Sequence, residues 1–111
     1  MTGKKLRIGV AGAGHFGRYH ALKVAASERA ELAGIHDPDE ERARATGWEA
    51  GAESMGFEAL LATADAMIIA APAEAHHALA CAALRAGKHV LVDKPIASTL
   101  EQAYEHAANA T

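Results

Sequence analysis

The feature that most constrains this sequence is a glycine-rich hexapeptide, Gly12-Ala13-Gly14-His15-Phe16-Gly17, close to its amino terminus. It follows the apolar run Leu6–Ala11, which predicts a buried strand, and it opens the stretch His15–Ser27, which predicts a helix. A G-x-G-x-x-G pattern alone is weak evidence, whereas one between a strand and a helix is typical of a dinucleotide-binding turn. The sequence therefore predicts a dinucleotide site at this turn.

Each glycine of the hexapeptide has a distinct physical role in such a turn. Gly12 can adopt the tight backbone conformation, and Gly14 has no side chain to hold a pyrophosphate away from the main chain. Gly17 lets the helix lie close to the strand. The free N–H groups and the positive dipole end at the helix start attract phosphates, so His15 and Phe16 are also predicted to border the cofactor.

A second part of the pattern is an acidic residue at the end of the next predicted strand, Glu31–His36. Asp37 lies twenty residues beyond Gly17, where a carboxylate can accept hydrogen bonds from both hydroxyls of the adenosine ribose. It would also repel a 2′-phosphate, so we expect NAD to bind more tightly than NADP. Two alternatives stay open: a capping or loop-holding role for Asp37, and a weaker preference if His36 is protonated.

Length and composition set the class of protein. With 111 residues, the chain is long enough for one small core, and residues 1–111 are predicted to form a single dinucleotide-binding domain. The net charge of −3 is spread along the chain, so neither nucleic acid nor an anionic membrane is an expected partner. No apolar run approaches the roughly 20 residues of a membrane span, and residues 1–5 show no signal peptide. The single Cys81 permits no internal disulfide, so we expect a cytoplasmic protein.

Strand-like apolar runs alternate with segments of helical length along the chain, which predicts βαβ units. Right-handed crossovers between them give an α/β fold with a doubly wound parallel sheet of order 3-2-1-4-5. The predicted strands are Leu6–Ala11, Glu31–His36, a weak one at Ala52–Ser54, Ala66–Ala71 and His89–Asp93. The predicted helices are His15–Ser27, Asp39–Thr46, Phe57–Ala62, Glu74–Arg85, which Gly87 ends, and Thr99–Ala110.

Ligands of open parallel sheets bind beyond the carboxyl ends of the strands, at the point where the strand order reverses. The loops after the fourth and fifth predicted strands, Ala70–His76 and Val92–Pro95, should therefore reach the same cleft as the glycine turn. The segment that contains both loops is APAEAHHALACAALRAGKHVLVDKP, residues 71–95. It resembles the Gfo/Idh/MocA oxidoreductases, whose pattern in this region is TP…H…A…AGKHV…EKP.

The resemblance extends over nearly the whole chain and is carried by several motifs in register. The matching positions are the glycine turn, Pro72, His76, the run Ala86–Val90 and the pair Lys94-Pro95. Two positions depart from the pattern, since Ala71 replaces a threonine and Asp93 replaces a glutamate that is one methylene longer.

The resemblance implies hydride transfer between a nicotinamide cofactor and a secondary alcohol carbon, commonly of a sugar or cyclitol. The lysine of the EKP motif corresponds to Lys94, which would lie beside the reacting carbon and help move the hydroxyl proton. An ammonium group there can stabilise the developing oxyanion; the alternative is a solvated lysine at a strand end. The cofactor-binding residues implied at the two loops are Ala71, Pro72, His76, Asp93, Lys94 and Pro95.

Members of the family continue into a larger α/β domain with an open antiparallel sheet, which holds the substrate. This chain matches only the first part of such an enzyme, so it is expected to lack the second domain and to bind dinucleotide with little or no turnover. Orienting hydride donor and acceptor is worth ~7–11 kcal/mol, which a cofactor domain alone cannot supply. A small-molecule substrate is therefore expected only in a full-length context. The fifth strand would be left as a sheet edge, which favours a homodimer.

Two other functions fit the sequence less well. A non-catalytic module that binds NAD(H) or adenine nucleotides for regulation would use the same fold, but it has no need of a lysine at position 94. A metal site would need ligands at suitable spacing, and the seven histidines form neither an HExxH motif nor a Cys/His pattern. No metal is therefore predicted.

Overall fold

The computed structural model describes residues 5–92, in which four parallel strands form one sheet flanked by helices. The strands are β1 (Leu6–Ala11), β2 (Ala30–His36), β3 (Ala66–Ile69) and β4 (His89–Val92), in the order β2-β1-β3-β4. The helices are α1 (His15–Ala26), α2 (Glu40–Ala50), α3 (Phe57–Thr63) and α4 (Ala73–Arg85). The α/β class and the parallel, doubly wound sheet are confirmed. The predicted helix Thr99–Ala110 lies outside the described residues.

The weak third strand predicted at Ala52–Ser54 is a single parallel bridge between Ser54 and Ile35 of β2. The Ile35 N–H donates to the Glu53 carbonyl at 2.9 Å, and the Met55 N–H donates to the Ile35 carbonyl at 2.8 Å. This bridge lies beyond β2, which is the place that the order 3-2-1-4-5 gives it. The segment is too short to form a regular strand, but the predicted order holds.

Helix α2 is longer than predicted, because it continues through Thr46 and Gly47 to Ala50. Gly47 lies beyond the predicted helix end at Thr46, yet it is part of α2 and allows close packing there. A Cβ there would overlap the carbonyl oxygen of Ala52, which the chain brings back against the helix. The helix ends at Gly51, whose φ of 76° lies in the left-handed region that favours glycine.

Strand β3 is shorter than predicted, since it ends at Ile69 and not at Ala71. The Ala70 N–H still donates to the Ala11 carbonyl at 2.8 Å, but β1 ends there and the glycine turn begins. With β1 no longer alongside it, the chain leaves the sheet at Ala70. The bounds of β2, α1, α3 and α4 each lie within one residue of the prediction, and Gly87 (φ 78°) follows the end of α4 as expected.

The core has two layers, one on each face of the sheet. One face of β1 presents Ile8 and Val10 to the layer beneath α1 and α2, and the other presents Gly9 and Ala11 toward α3 and α4. A Cβ on Gly9 would lie within 2.8 Å of side-chain atoms of Leu60 and Met67, so α3 rests almost on the backbone of β1. Within residues 5–92, no helix is long and apolar enough to cross a membrane.

A surface ion pair joins the two helices on one face of the sheet. Arg18 of α1 donates two hydrogen bonds to the Glu49 carboxylate of α2, at 2.7 and 2.6 Å. These hydrogen bonds raise the pKa of Arg18 and lower the pKa of Glu49. Both groups are exposed, so salt screens the attraction and its contribution to stability is small.

Candidate functional site

The carboxyl ends of β1, β2 and β3 surround one cavity of about 630 Å³, which we name the strand-end cavity. Cavities of 300 to 1,000 Å³ are typical of small-molecule and cofactor sites. Its walls are the glycine turn, the β2–α2 loop, the first turn of α2, the β3–α4 loop and one face of α4. The lining residues are Gly12, Gly14, His15, Phe16, His36, Asp37, Pro38, Asp39, Arg42, Ala70, Ala71, Pro72, Ala75 and Leu79.

The floor of the cavity is the glycine turn, and its conformation depends on Gly12. The φ of Gly12 is 109°, a value that residues with a side chain rarely adopt. A Cβ there would also stand 2.7 Å from the backbone of Ala70. The Gly12 N–H donates to the His36 carbonyl at 2.7 Å, which ties the turn to the end of β2.

The other two glycines face in different directions. Gly14, the N-cap of α1, has an ordinary φ of −74°, and the nearest atom to a Cβ there is a guanidinium nitrogen of Arg42 at 3.9 Å. Its open side therefore faces the cavity. A Cβ on Gly17 would overlap the Gly12 carbonyl oxygen, so Gly17 supports the turn from below and does not line the cavity.

The start of α1 is suited to an anion. No side chain caps its N-terminus, and the first intrahelical bond runs from the Arg18 N–H to the Gly14 carbonyl at 2.9 Å. Its first turn carries no acidic residue, whereas the other three described helices have Glu40 and Glu41, Glu58, and Glu74 there. The N–H groups at the start of a helix and its dipole attract negative charge, and nothing on this turn repels it.

Asp37 lines the cavity next to this helix start and is almost completely buried. Its Oδ2 accepts from the Ala13 N–H at 2.7 Å, and its Oδ1 accepts from the Asp39 N–H at 2.8 Å. The loop-holding role left open from the sequence is therefore present, while the cap of α2 is Asp39. Each carboxylate oxygen keeps a second lone pair, so Asp37 can still accept from a ligand.

The structure brings seven of the predicted site residues together. They are Gly12, Gly14, His15, Phe16, Asp37, Ala71 and Pro72. His76 lies on the first turn of α4, where its N–H donates to the Pro72 carbonyl at 2.9 Å, but it does not line the cavity. Asp93, Lys94 and Pro95 lie outside the described residues.

The residue that the sequence interpretation missed is Arg42. It lies on the first turn of α2, three residues after the Asp39 cap, and its guanidinium reaches over the β2–α2 loop. The spacing from a capping aspartate was the only signal for this position. In the described part of the chain, no three His, Cys, Asp or Glu side chains are arranged to hold a metal ion.

Three comparisons describe what the chain is similar to. Residues 6–111 match the family model described as "Oxidoreductase family, NAD-binding Rossmann fold". UDP-N-acetylglucosamine 3-dehydrogenase of Acidithiobacillus ferrooxidans is 41% identical over 99 residues, covering 88% of this chain and 31% of that protein. Inositol 2-dehydrogenase 1 of Saccharopolyspora erythraea is 39% identical over 101 residues, covering 85% and 30%.

A solved structure gives the same result for the fold. The crystal structure of GenD2 from gentamicin A biosynthesis, in complex with NAD, superposes with a TM-score of 0.77 at 31% identity. The match covers 96% of this chain and 32% of that one. The chain thus spans less than a third of the length of these relatives.

Proposed function

Because this chain belongs to the oxidoreductase family with the NAD-binding Rossmann fold, we propose that its strand-end cavity holds NAD, in preference to NADP, for hydride transfer with a secondary alcohol of a sugar or cyclitol. Family membership confirms the resemblance seen in residues 71–95. The observation that carries the proposal is the meeting of an uncapped helix start and a buried carboxylate, Asp37, in one cavity.

The glycine turn is the proposed pyrophosphate site. Gly14 leaves its side of the backbone open toward the cavity, so a phosphate can approach the N–H groups at the start of α1. A capping side chain would occupy these N–H groups, and an acid on the first turn would repel the phosphate; α1 has neither. The shape and charge of these residues are what support a pyrophosphate at this turn.

Asp37 is the proposed ribose acceptor and the basis of the preference for NAD. Its free lone pairs can accept from the two ribose hydroxyls, and its charge opposes a phosphate on the 2′-oxygen. Because the carboxylate is already fixed by two backbone N–H groups, it needs no rearrangement to bind. We therefore expect a smaller dissociation constant for NAD than for NADP.

Lys94 is the proposed catalytic residue. NAD, when bound, would supply the hydride acceptor, and the hydroxyl proton of the alcohol would have to leave as the carbonyl forms. Lys94 is assigned to accept this proton or stabilise the oxygen because of its register in the Asp93-Lys94-Pro95 motif. Val92, the last described residue, pairs with Ile69 at the carboxyl end of the sheet, the end at which the cavity lies.

The relatives support the substrate class but not a particular substrate. Their names specify an inositol and a nucleotide sugar, both of which carry secondary alcohols. Since the chain spans less than a third of those proteins, we propose that it is the cofactor-binding part of such an enzyme and turns over little or not at all by itself. A homodimer and a cytoplasmic location stay predictions.

Gly14→Ala tests the proposed cofactor site. The added methyl group has open space within the protein, so we expect the free energy of unfolding to change by no more than about 1 kcal/mol. The same methyl group projects into the cavity where a pyrophosphate would approach. We expect the dissociation constant of NAD, measured by titration calorimetry, to rise about tenfold or more.

Gly56→Ala is the matched control for this experiment. Gly56 is also an N-cap with an ordinary φ (−67°) and open space at its Cβ, but it lies at α3 and does not line the strand-end cavity. It should leave NAD binding unchanged. If the unmodified chain bound no NAD, or if both variants changed the affinity equally, the proposed site would be wrong.

Lys94→Ala separates an oxidoreductase from a regulatory nucleotide-binding module. The protein to use is a fusion in which this chain replaces the equivalent part of the Acidithiobacillus ferrooxidans enzyme. We expect kcat for its sugar substrate to fall by roughly 10²- to 10⁴-fold, the usual effect of a lost proton-transfer group, and to fall far more than the affinity for NAD does. A Lys94→Ala fusion with the full rate would favour the regulatory alternative.

A further inference from the structure

The guanidinium of Arg42 occupies the corner between the carboxylate of Asp37 and the glycine turn. Its Nε lies 3.7 Å from Asp37 Oδ1, and its Nη2 lies 3.8 Å from Asp39 Oδ2. Its Nη1 lies 3.9 Å from the position that a Cβ on Gly14 would take. The three guanidinium nitrogens therefore span the region from the proposed ribose acceptor to the proposed pyrophosphate site.

The guanidinium is close enough to both carboxylates to be attracted by them, but it makes a hydrogen bond to neither. Separations of 3.7 and 3.8 Å exceed hydrogen-bond length, and Arg42 makes no side-chain hydrogen bond among residues 5–92. The side chain is half exposed, whereas that of Asp37 is only 8% exposed. Arg42 thus offers unused N–H donors on the solvent side of a carboxylate that is already satisfied.

This pairing alters what Asp37 alone would do to a 2′-phosphate. A buried, unpaired carboxylate beside the ribose would repel a phosphate on the 2′-oxygen strongly. A guanidinium at 3.7 Å offsets that charge and, being planar with several donors, is well suited to bind a phosphate. NAD has a neutral hydroxyl at that position, so Arg42 can attract only its pyrophosphate, a group that both cofactors share.

We propose that Arg42 is a specificity-determining residue that admits NADP as a second, weaker cofactor, an inference that rests on the proposed dinucleotide site. Asp37 sets the preference for NAD, and Arg42 limits how large that preference is. The 2′-phosphate is the ligand group that Arg42 recognises. The opposite charges of Asp37 in the β2–α2 loop and Arg42 on α2, 3.7 Å apart, therefore tune one selectivity.

Arg42→Met tests this assignment by titration calorimetry of the 111-residue chain with NAD and with NADP. Removing the guanidinium should raise the dissociation constant of NADP about tenfold or more, as expected for the loss of a charge-assisted contact, and that of NAD by less than about threefold. Arg42→Lys keeps the charge and should retain most of the NADP affinity. Since the Arg42 side chain is half exposed and makes a hydrogen bond to neither carboxylate, neither variant should change the melting temperature appreciably.

Arg44→Met is the matched control, because Arg44 lies on the same helix and pairs with Glu40 at 3.8 Å but does not line the strand-end cavity. It makes the same change in net charge and should leave both affinities unaltered. An equal effect of Arg42→Met and Arg44→Met, or an equal loss of NAD and NADP, would overturn the assignment, as would an unmodified chain that binds NAD but no NADP. A chain that binds neither dinucleotide would instead refute the proposed cofactor site itself.

Discussion

Gly17→Ala is expected to remove at least about 3 kcal/mol from the free energy of unfolding, the upper end of the range for an overpacked core. The methyl group would overlap the carbonyl oxygen of Gly12, and neither partner can move as a side chain would, since one is a helix backbone and the other a turn. A small domain has only about 5–15 kcal/mol of stability in total. Urea unfolding followed by circular dichroism measures the loss.

The same substitution should weaken NAD binding through the turn. Displacing Gly12 to relieve the overlap would break its N–H bond to the His36 carbonyl, which joins the turn to β2. Gly56→Ala again serves as the control, because its Cβ meets nothing within 4 Å. A Gly17→Ala variant with unfolding free energy within about 0.5 kcal/mol of the parent would contradict the close contact.

Asp37→Ala is expected to damage both stability and binding. It leaves the N–H groups of Ala13 and Asp39 without their acceptor, and the first of these is buried. An unsatisfied buried donor costs about 1–3 kcal/mol, so we expect a loss of about 2–4 kcal/mol for the two. The dissociation constant of NAD should rise about tenfold or more, because the ribose hydroxyls lose their acceptor.

NADP should respond differently to the loss of Asp37. The variant removes the charge that opposes a 2′-phosphate and one of the two carboxylates near Arg42, so the affinity ratio should shift toward NADP. Asp65→Ala is the matched control, since the Asp65 carboxylate also accepts from a backbone N–H, that of Arg7, at 3.0 Å. Asp65 lies at the amino end of β3, away from the cavity. A parallel loss of both cofactors in Asp37→Ala would show that the carboxylate does not discriminate between them.

The parts of the fold that could be predicted depend on local patterns. Local sequence is enough to recognise the apolar runs of β1 and β2, the glycine spacing and the acid at position 37. Each meets a backbone or charge requirement that does not depend on a residue distant in the chain. Gly47 could not be interpreted in this way, because a glycine can end a helix or admit a close neighbour. That neighbour, the Ala52 carbonyl, is brought there only by the later course of the chain.

The candidate site likewise contains residues that local sequence patterns predict and one, Arg42, that they do not. Asp37 and the glycine turn follow from spacing, whereas Arg42 depends on the rotation of α2 about its axis. The predicted start of α2 at Asp39 was one residue early, because Asp39 is its N-cap, and one residue of helix turns a side chain by about 100°. His76 was assigned through a motif in a family, and motif register does not specify on which side of α4 a ring lies.

The helices on the two sides of the strand-end cavity are held in place by different contacts, and the Arg18–Glu49 pair belongs to one side. On one side, Arg18 of α1 is hydrogen-bonded to Glu49 of α2, and Asp37 in the β2–α2 loop accepts from the Ala13 N–H of the glycine turn. The opposite side is α4, in which Ala83 is the only fully buried residue. If the walls of the cavity move, we therefore expect the movement mainly at α4, which has fewer buried contacts.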